Sequence, residues 1–237
     1  MKKWYDIKAE AGEITIFDEI GFFGVSADAF KKDFDKIPVG QRVKILMNSP
    51  GGSVFDGMAI YNILKSQSER IDVEVVGLAA SMASVIALSG STMKMREGTF
   101  LMIHNPKVFA YGDAKDLRKG SELLEQVKGQ LLDIYESHFN ISREEISDLM
   151  DEETWMTPTQ AKQYGVSNET IKAQKMAAVY DQKKLDYGNT PKSLLPTEVI
   201  PVVVIEDAKV EPTPDCGVRD RIERVIKLNK NKIQNGD

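Results

Sequence analysis

Hydrophobic periods divide the first 170 residues into short, regular segments. Glu13-Ile14-Thr15-Ile16-Phe17 alternates polar and apolar positions, as a strand with one buried face does. Gly21 and Gly24 interrupt the pattern, and Ser26 then heads a segment in which Ala27, Phe30 and Phe34 share one helical face. Lys36 to Gly40 closes that helix. Val43 to Asn48 reads as a second strand, ended by Ser49-Pro50-Gly51-Gly52-Ser53. From Val54 to Ser66, Met58, Tyr61 and Leu64, with Ile60 and Ile63 beside them, predict a helix laid on a sheet. A third strand, Val73 to Gly77, leads to Ser81 and a small-residue segment, Ala83 to Leu88, that can pack as a helix. Strand and helix thus alternate three times, which predicts an α/β fold with largely parallel crossovers.

Further on, Lys94-Met95 is a short strand before a turn at Glu97-Gly98. Thr99 to Ile103 is a buried strand that delivers His104, followed by Asn105-Pro106. Asp113 starts a long helix whose Leu117, Leu124, Val127, Leu131 and Ile134 form a stripe of coiled-coil type. That stripe faces either the core or another subunit. Ser142 to Glu145 and Thr157 to Gln160 have capping-box spacing, the second with Pro158 at the first helical position and Gly165 as its stop. Beyond Thr170 the chain turns polar and alanine-rich. Val199 to Ile205 is apolar but broken by Pro201, an edge strand at best. Residues 217–232 read as a basic amphipathic helix or a solvated tail. The expected organisation is therefore a domain over 1–170 and an extension over 171–237.

Composition narrows the function classes. The 237 residues are 42% hydrophobic and 28% charged, ordinary values for a globular chain able to bury a full core. A net charge of −5 argues against a nucleic-acid partner. With one cysteine, Cys216, there is no intrachain disulfide framework, and two histidines make a Cys/His zinc site unexpected. Cys216, between prolines, reads as an unpaired surface thiol. Neither a signal-peptide core nor a membrane span is expected, which suits a cytoplasmic protein.

Candidate chemistry centres on Ser81. A serine between a strand and a helix either caps the helix or presents its hydroxyl beside the unpaired first-turn N–H groups, which can stabilise an oxyanion. Acyl transfer also needs a base and a group that orients it. His138 ends a long helix and suits an interaction with that helix's C-terminus. His104 ends a buried strand, at the sheet edge where α/β folds place sites. Gly51 and Gly52 serve either as an ordinary turn or as a substrate cradle and oxyanion donor.

Three stretches in order, Asn48-Ser49-Pro50-Gly51-Gly52-Ser53, Gly77-Leu78-Ala79-Ala80-Ser81-Met82-Ala83-Ser84 and Leu101-Met102-Ile103-His104-Asn105-Pro106, resemble the proteolytic subunit of Clp protease, ClpP. The resemblance covers roughly residues 12–170. It implies a serine endopeptidase with the ClpP/crotonase spiral fold of β-β-α units and a projecting handle helix from Asp113. Ser81 would be the nucleophile, His104 the base, and the N–H groups of Gly52 and Met82 the oxyanion hole. Gly51, Val108, Phe109 and Ala110 would bind substrate, the segment from Lys107 to Gly112 acting as a strand that pairs with its backbone. In the family an aspartate completes the triad; the matching residue here is Glu153, with Asp151 and Glu152 as near competitors.

Glutamate at that position, a short charged N-terminus and the long C-terminal extension are similar to the ClpP-related head-maturation proteases of tailed phages. The resemblance then implies a capsid or scaffold polypeptide as substrate and a ring-forming homo-oligomer, with no cofactor, no metal and no membrane. An ATP-driven unfoldase is a family partner that a head protease would not require. The alternatives are an acyl-CoA enzyme of the crotonase fold and an inactive ClpP-like assembly protein.

Overall fold

The computed structural model describes residues 3–21, 26–172 and 187–191. The chain divides into two compact units, 1–197 and 198–237, and every described residue lies in the first. Cys216, the apolar run from Val199 and the basic segment 217–232 fall outside the described residues.

The centre is a mixed sheet. Strands β1 (Tyr5–Lys8), β2 (Glu13–Ile16), β3 (Val43–Ser49), β4 (Ile71–Ala80), β5 (Thr92–Arg96) and β8 (Glu169–Ile171) lie side by side in that order. All pairs from β2 to β8 are parallel, as the alternating strands and helices predict; β1 is antiparallel to β2. Helix α1 (Ala27–Phe34) buries Phe30 and Phe34; Phe30 meets Trp4 and Tyr5 at the sheet's β1 end and stacks on Phe34. Each such buried aromatic contributes roughly 1.5–3 kcal/mol. Helices α2 (Val54–Lys65) and α3 (Met82–Ala87) pack against each other, and every residue of α3 is buried.

Strand β4 decides where the site forms. Its first half pairs with β5, Asp72 to Val75 against Thr92 to Met95. Its second half pairs with β6 (Phe100–Ile103), Leu78 to Ala80 against Phe100 to Met102. On its other edge, Met47 and Ser49 of β3 lie opposite Val75 and Ala79, so four residues of β4 span only two of β3. This bulge, which contains Gly77, re-aims the end of β4. The Ala80–Met102 register then brings Ser81 and His104 out at one end of the sheet. β7 (Thr154–Met156) runs antiparallel to β6 and carries Glu153 immediately before it.

Helix α4 (Ala114–Glu136) has a mixed character along its length. Leu131, Leu132 and Tyr135 are buried, whereas Leu117 and Leu123 stand nearly half exposed. Its C-terminal half belongs to the core and its N-terminal half projects. α5 (Arg143–Asp151) and α6 (Pro158–Gln163) form the expected capping boxes at Ser142 and Thr157, and Gly165 has the left-handed φ of a helix stop. Among the described residues no helix is long and apolar enough to cross a membrane.

Candidate active site

Ser81 holds a backbone conformation that side-chain-bearing residues rarely adopt, φ 54° and ψ −127°. Such strain persists only where the surroundings over-determine it. Here the Ser81 N–H donates to the Met102 carbonyl at 2.9 Å. The Ser81 carbonyl accepts from the Ser84 N–H at 2.9 Å and from the Ser84 hydroxyl at 2.6 Å. Because that hydroxyl spends its hydrogen on Ser81, Tyr135 must donate its own to Ser84, at 2.7 Å. Gly51, with φ 97°, lies directly beneath: a Cβ there would stand 2.7 Å from both the Ala80 carbonyl and Ser81 Cβ. Ser81 occupies the N-cap position of α3, yet its side chain makes no cap hydrogen bond. A positive φ points the hydroxyl away from the first turn, whereas side-chain capping uses the β region.

The hydroxyl instead meets His104, whose Nε2 lies 2.8 Å from Ser81 Oγ. Burial, reinforced by the Lys107 ammonium and opposed by Glu153, lowers the His104 pKa to about 4. The imidazole is therefore neutral near pH 7, and for Nε2 to accept from Ser81 its proton must sit on Nδ1. That Nδ1 is buried and has no hydrogen-bond partner among the described residues. His138 is elsewhere: its Nδ1 lies 2.9 Å from the Ile134 carbonyl, at the end of α4.

None of the three acids reaches Nδ1. The Asp151 carboxylate accepts from Asn105 Nδ2 and Lys128 Nζ, both at 2.6 Å. Glu152 is the exposed C-cap of α5. Glu153, in a left-handed conformation with φ 51°, lies partly buried near the histidine but is directed to other donors. It accepts from the Asn189 N–H at 2.7 Å, the Gly188 N–H at 3.1 Å and Trp155 Nε1 at 3.4 Å, with Lys107 Nζ at 3.6 Å. Burial alone would raise its pKa; these partners together outweigh burial and lower it. The hydrogen bond expected between His104 and Glu153 is absent because the carboxylate is already engaged by these donors.

The residue that sequence reasoning missed is Tyr187. Its ring stands edge-on to His104, 5.2 Å between centroids, and its hydroxyl donates to the Pro50 carbonyl. Only an aromatic followed by Gly188-Asn189 in a polar tract marks it in the sequence. With Ser81, His104, Gly51, Gly52 and Lys107 it lines an open cleft of about 170 Å³.

Two main-chain donors stand near Ser81: Gly52 lines this cleft, and Met82 lines a smaller pocket that Ser81 and His104 also border. The bridge between Ile20 and Gly52 uses the Gly51 carbonyl and the Ser53 N–H, so the Gly52 N–H points the other way. Met82 is the first residue of α3 and has no carbonyl one turn earlier to receive its N–H. Val108 and Phe109 are exposed, the latter almost fully, and the segment from Lys107 to Tyr111 is not a strand in the single chain. A strand assignment needs a hydrogen-bonded neighbour, and none is present there among the described residues.

The arrangement suits acyl transfer: a hydroxyl touching a neutral imidazole, next to the main-chain amides of a glycine turn and a helix start. The chain is 31% identical to the ATP-dependent Clp protease proteolytic subunit of Bacteroides fragilis over 166 residues, covering 66% of this chain and 80% of that protein. It is 34% identical over 147 residues to the ATP-dependent Clp protease proteolytic subunit 1 of Chlamydia abortus, covering 60% and 77%. A ClpP1 variant from Listeria monocytogenes has the same fold, with a TM-score of 0.59 at 22% identity over 69% of this chain and 93% of that one. The Clp protease family profile matches residues 35–174, a span that holds Ser81, His104 and Glu153 together, and the chain belongs to that family.

Proposed function

We propose that the protein is a serine endopeptidase that hydrolyses peptide bonds through an acyl-enzyme on Ser81. The observation that carries this reading is the 2.8 Å approach of His104 Nε2 to Ser81 Oγ at a strained strand-to-helix turn. Ser81 Oγ attacks the scissile carbonyl while His104 Nε2 takes its proton. The oxyanion that forms is received by the N–H groups of Gly52 and Met82; one such donor is worth about 10²–10³ in rate. His104 then returns the proton to the leaving amine, and water repeats the sequence on the ester. Glu153 is the acid that stabilises the imidazolium. Gly51 and the backbone from Val108 to Ala110 hold the substrate chain.

The protease domain is assigned to residues 1–170 and the remainder to an extension. The exposed N-terminal half of α4 supports ring assembly through that helix. A phage capsid or scaffold protein is the proposed substrate, on the strength of glutamate in the third position and the extension. Fluorophosphonate labelling of Ser81 in the folded, assembled protein tests the chemistry, and its absence would sink the reading. Co-expressing a capsid precursor with wild type and with Ser81→Ala tests the substrate; equal processing by both would refute that assignment. The unpaired His104 Nδ1 favours one second reading, an inactive ClpP-like assembly protein. The same labelling experiment separates the two.

A further inference from the structure

Tyr187, Gly188 and Asn189 follow the last strand of the sheet by more than a dozen residues, yet they converge on the site. The Tyr187 hydroxyl donates to Pro50 in the loop that carries Gly51 and Gly52. Its ring stands between His104 and Trp155, at 5.2 and 5.8 Å, with Lys107 Nζ 5.5 Å from the ring centre. The next two amides bind the Glu153 carboxylate, and Asn189 Nδ2 donates to the Glu152 carbonyl at 2.7 Å. Thr190 closes the turn by donating to the Tyr187 carbonyl at 3.1 Å. Two of these contacts take up parts of the site that peptide hydrolysis would use. The cleft wall at Pro50 is occupied, and the acid beside His104 is diverted while the Nδ1 of that histidine stays unpaired.

We infer that residues Tyr187 to Thr190 are an intramolecular strap that holds this active site latent. Its release opens the Pro50–Gly52 edge to a substrate backbone and frees Glu153 to accept from His104 Nδ1. The inference rests on the serine peptidase reading of Ser81. The strap does no chemistry, so it acts by population: if closed about 90% of the time, it lowers apparent substrate affinity about tenfold.

Two full-length variants test it. Tyr187→Ala removes the plug, and Asn189→Pro removes an N–H that binds Glu153. Each is expected to accelerate fluorophosphonate acylation of Ser81 about tenfold, a gain that misfolding could not produce. In a Ser81→Ala background, each is expected to tighten binding of fluorescein-labelled unfolded casein by a similar factor, read by anisotropy. Casein binding unchanged in both variants overturns the strap, whatever the labelling shows. Tighter casein binding in a folded protein that never labels overturns the peptidase reading instead, and leaves the strap as a cover on a polypeptide-binding cleft.

Discussion

Ser84 donates its buried hydroxyl to the main-chain carbonyl of Ser81 at 2.6 Å, so the helix that begins at the serine turn also braces that turn. Tyr135 completes the brace from α4. Ser84→Ala leaves the Ser81 carbonyl with the Ser84 N–H as donor but without the hydroxyl, and the buried Tyr135 hydroxyl without this acceptor. Leaving a buried hydroxyl unsatisfied costs about 1–3 kcal/mol. The expected outcome is a lower urea midpoint together with slower Ser81 acylation, and a smaller loss for Tyr135→Phe. If acylation is unchanged in Ser84→Ala, the brace does not hold the nucleophile.

Gly51→Ala attacks the same turn from below. The new Cβ would meet the Ala80 carbonyl and Ser81 Cβ at 2.7 Å and the Met82 nitrogen at 2.9 Å, in a backbone with φ 97°. Something must move, and the atoms available to move are the nucleophile and an oxyanion donor. A displacement of about 1 Å at such a site can lower the rate about 10²-fold. Acylation kinetics at wild-type folding stability would show it. Wild-type rates would mean the contact is not needed to place Ser81.

The parts of this site that were legible in the sequence are those fixed by local structure. A strand, a run of small residues and a helix place Ser81; a strand end places His104; two adjacent glycines allow the close approach beneath the serine. Glu153 was legible as a residue but not as a geometry. Its left-handed backbone and its donors at positions 188 and 189 depend on chain segments that no local pattern links. Of the two readings open for Ser81, the N-cap position holds but the side-chain cap does not form, because the φ is positive and a positive φ cannot be read from a serine. β7 and β8 are three residues each, shorter than two periods of alternation, and β1 is only four. Tyr187 sits in a tract without periodicity, where an aromatic before Gly188-Asn189 does not say that its ring packs against His104.

The stripe along α4 divides between two tasks. Leu131 is buried, but Leu117 stands 48% exposed and Leu123, just off the stripe, 45%. An apolar row at that exposure contributes little to a single chain and suits contact with a second copy. Leu117→Glu or Leu123→Glu is therefore expected to leave secondary structure and the thermal midpoint of the dissociated chain unchanged. Native mass spectrometry is expected to show smaller assemblies. Intact assemblies in both variants would return the projecting half of α4 to the role of an ordinary solvated helix.

The pH response follows from the surroundings of His104. Burial first, then the Lys107 ammonium, holds its pKa at about 4 against 6.5 for an unperturbed imidazole, with Glu153 pulling the other way. The base is therefore already neutral throughout the mildly acidic range, and Ser81 acylation in the wild type is expected to fall with a midpoint near 4. Lys107→Ala removes the second depressing influence and is expected to move that midpoint upward. Stability carries the same sign: between the two pKa values the unfolded chain binds the proton and the folded chain does not. The His104 contribution is thus fully present above 6.5 and is lost as pH falls through about 4. Acylation rates and urea midpoints measured from about pH 3 to 8 test both statements. A wild-type acylation midpoint at or above 6.5 would show that His104 is charged more readily than its burial allows, and that the imidazole reaches solvent or the Glu153 carboxylate in solution.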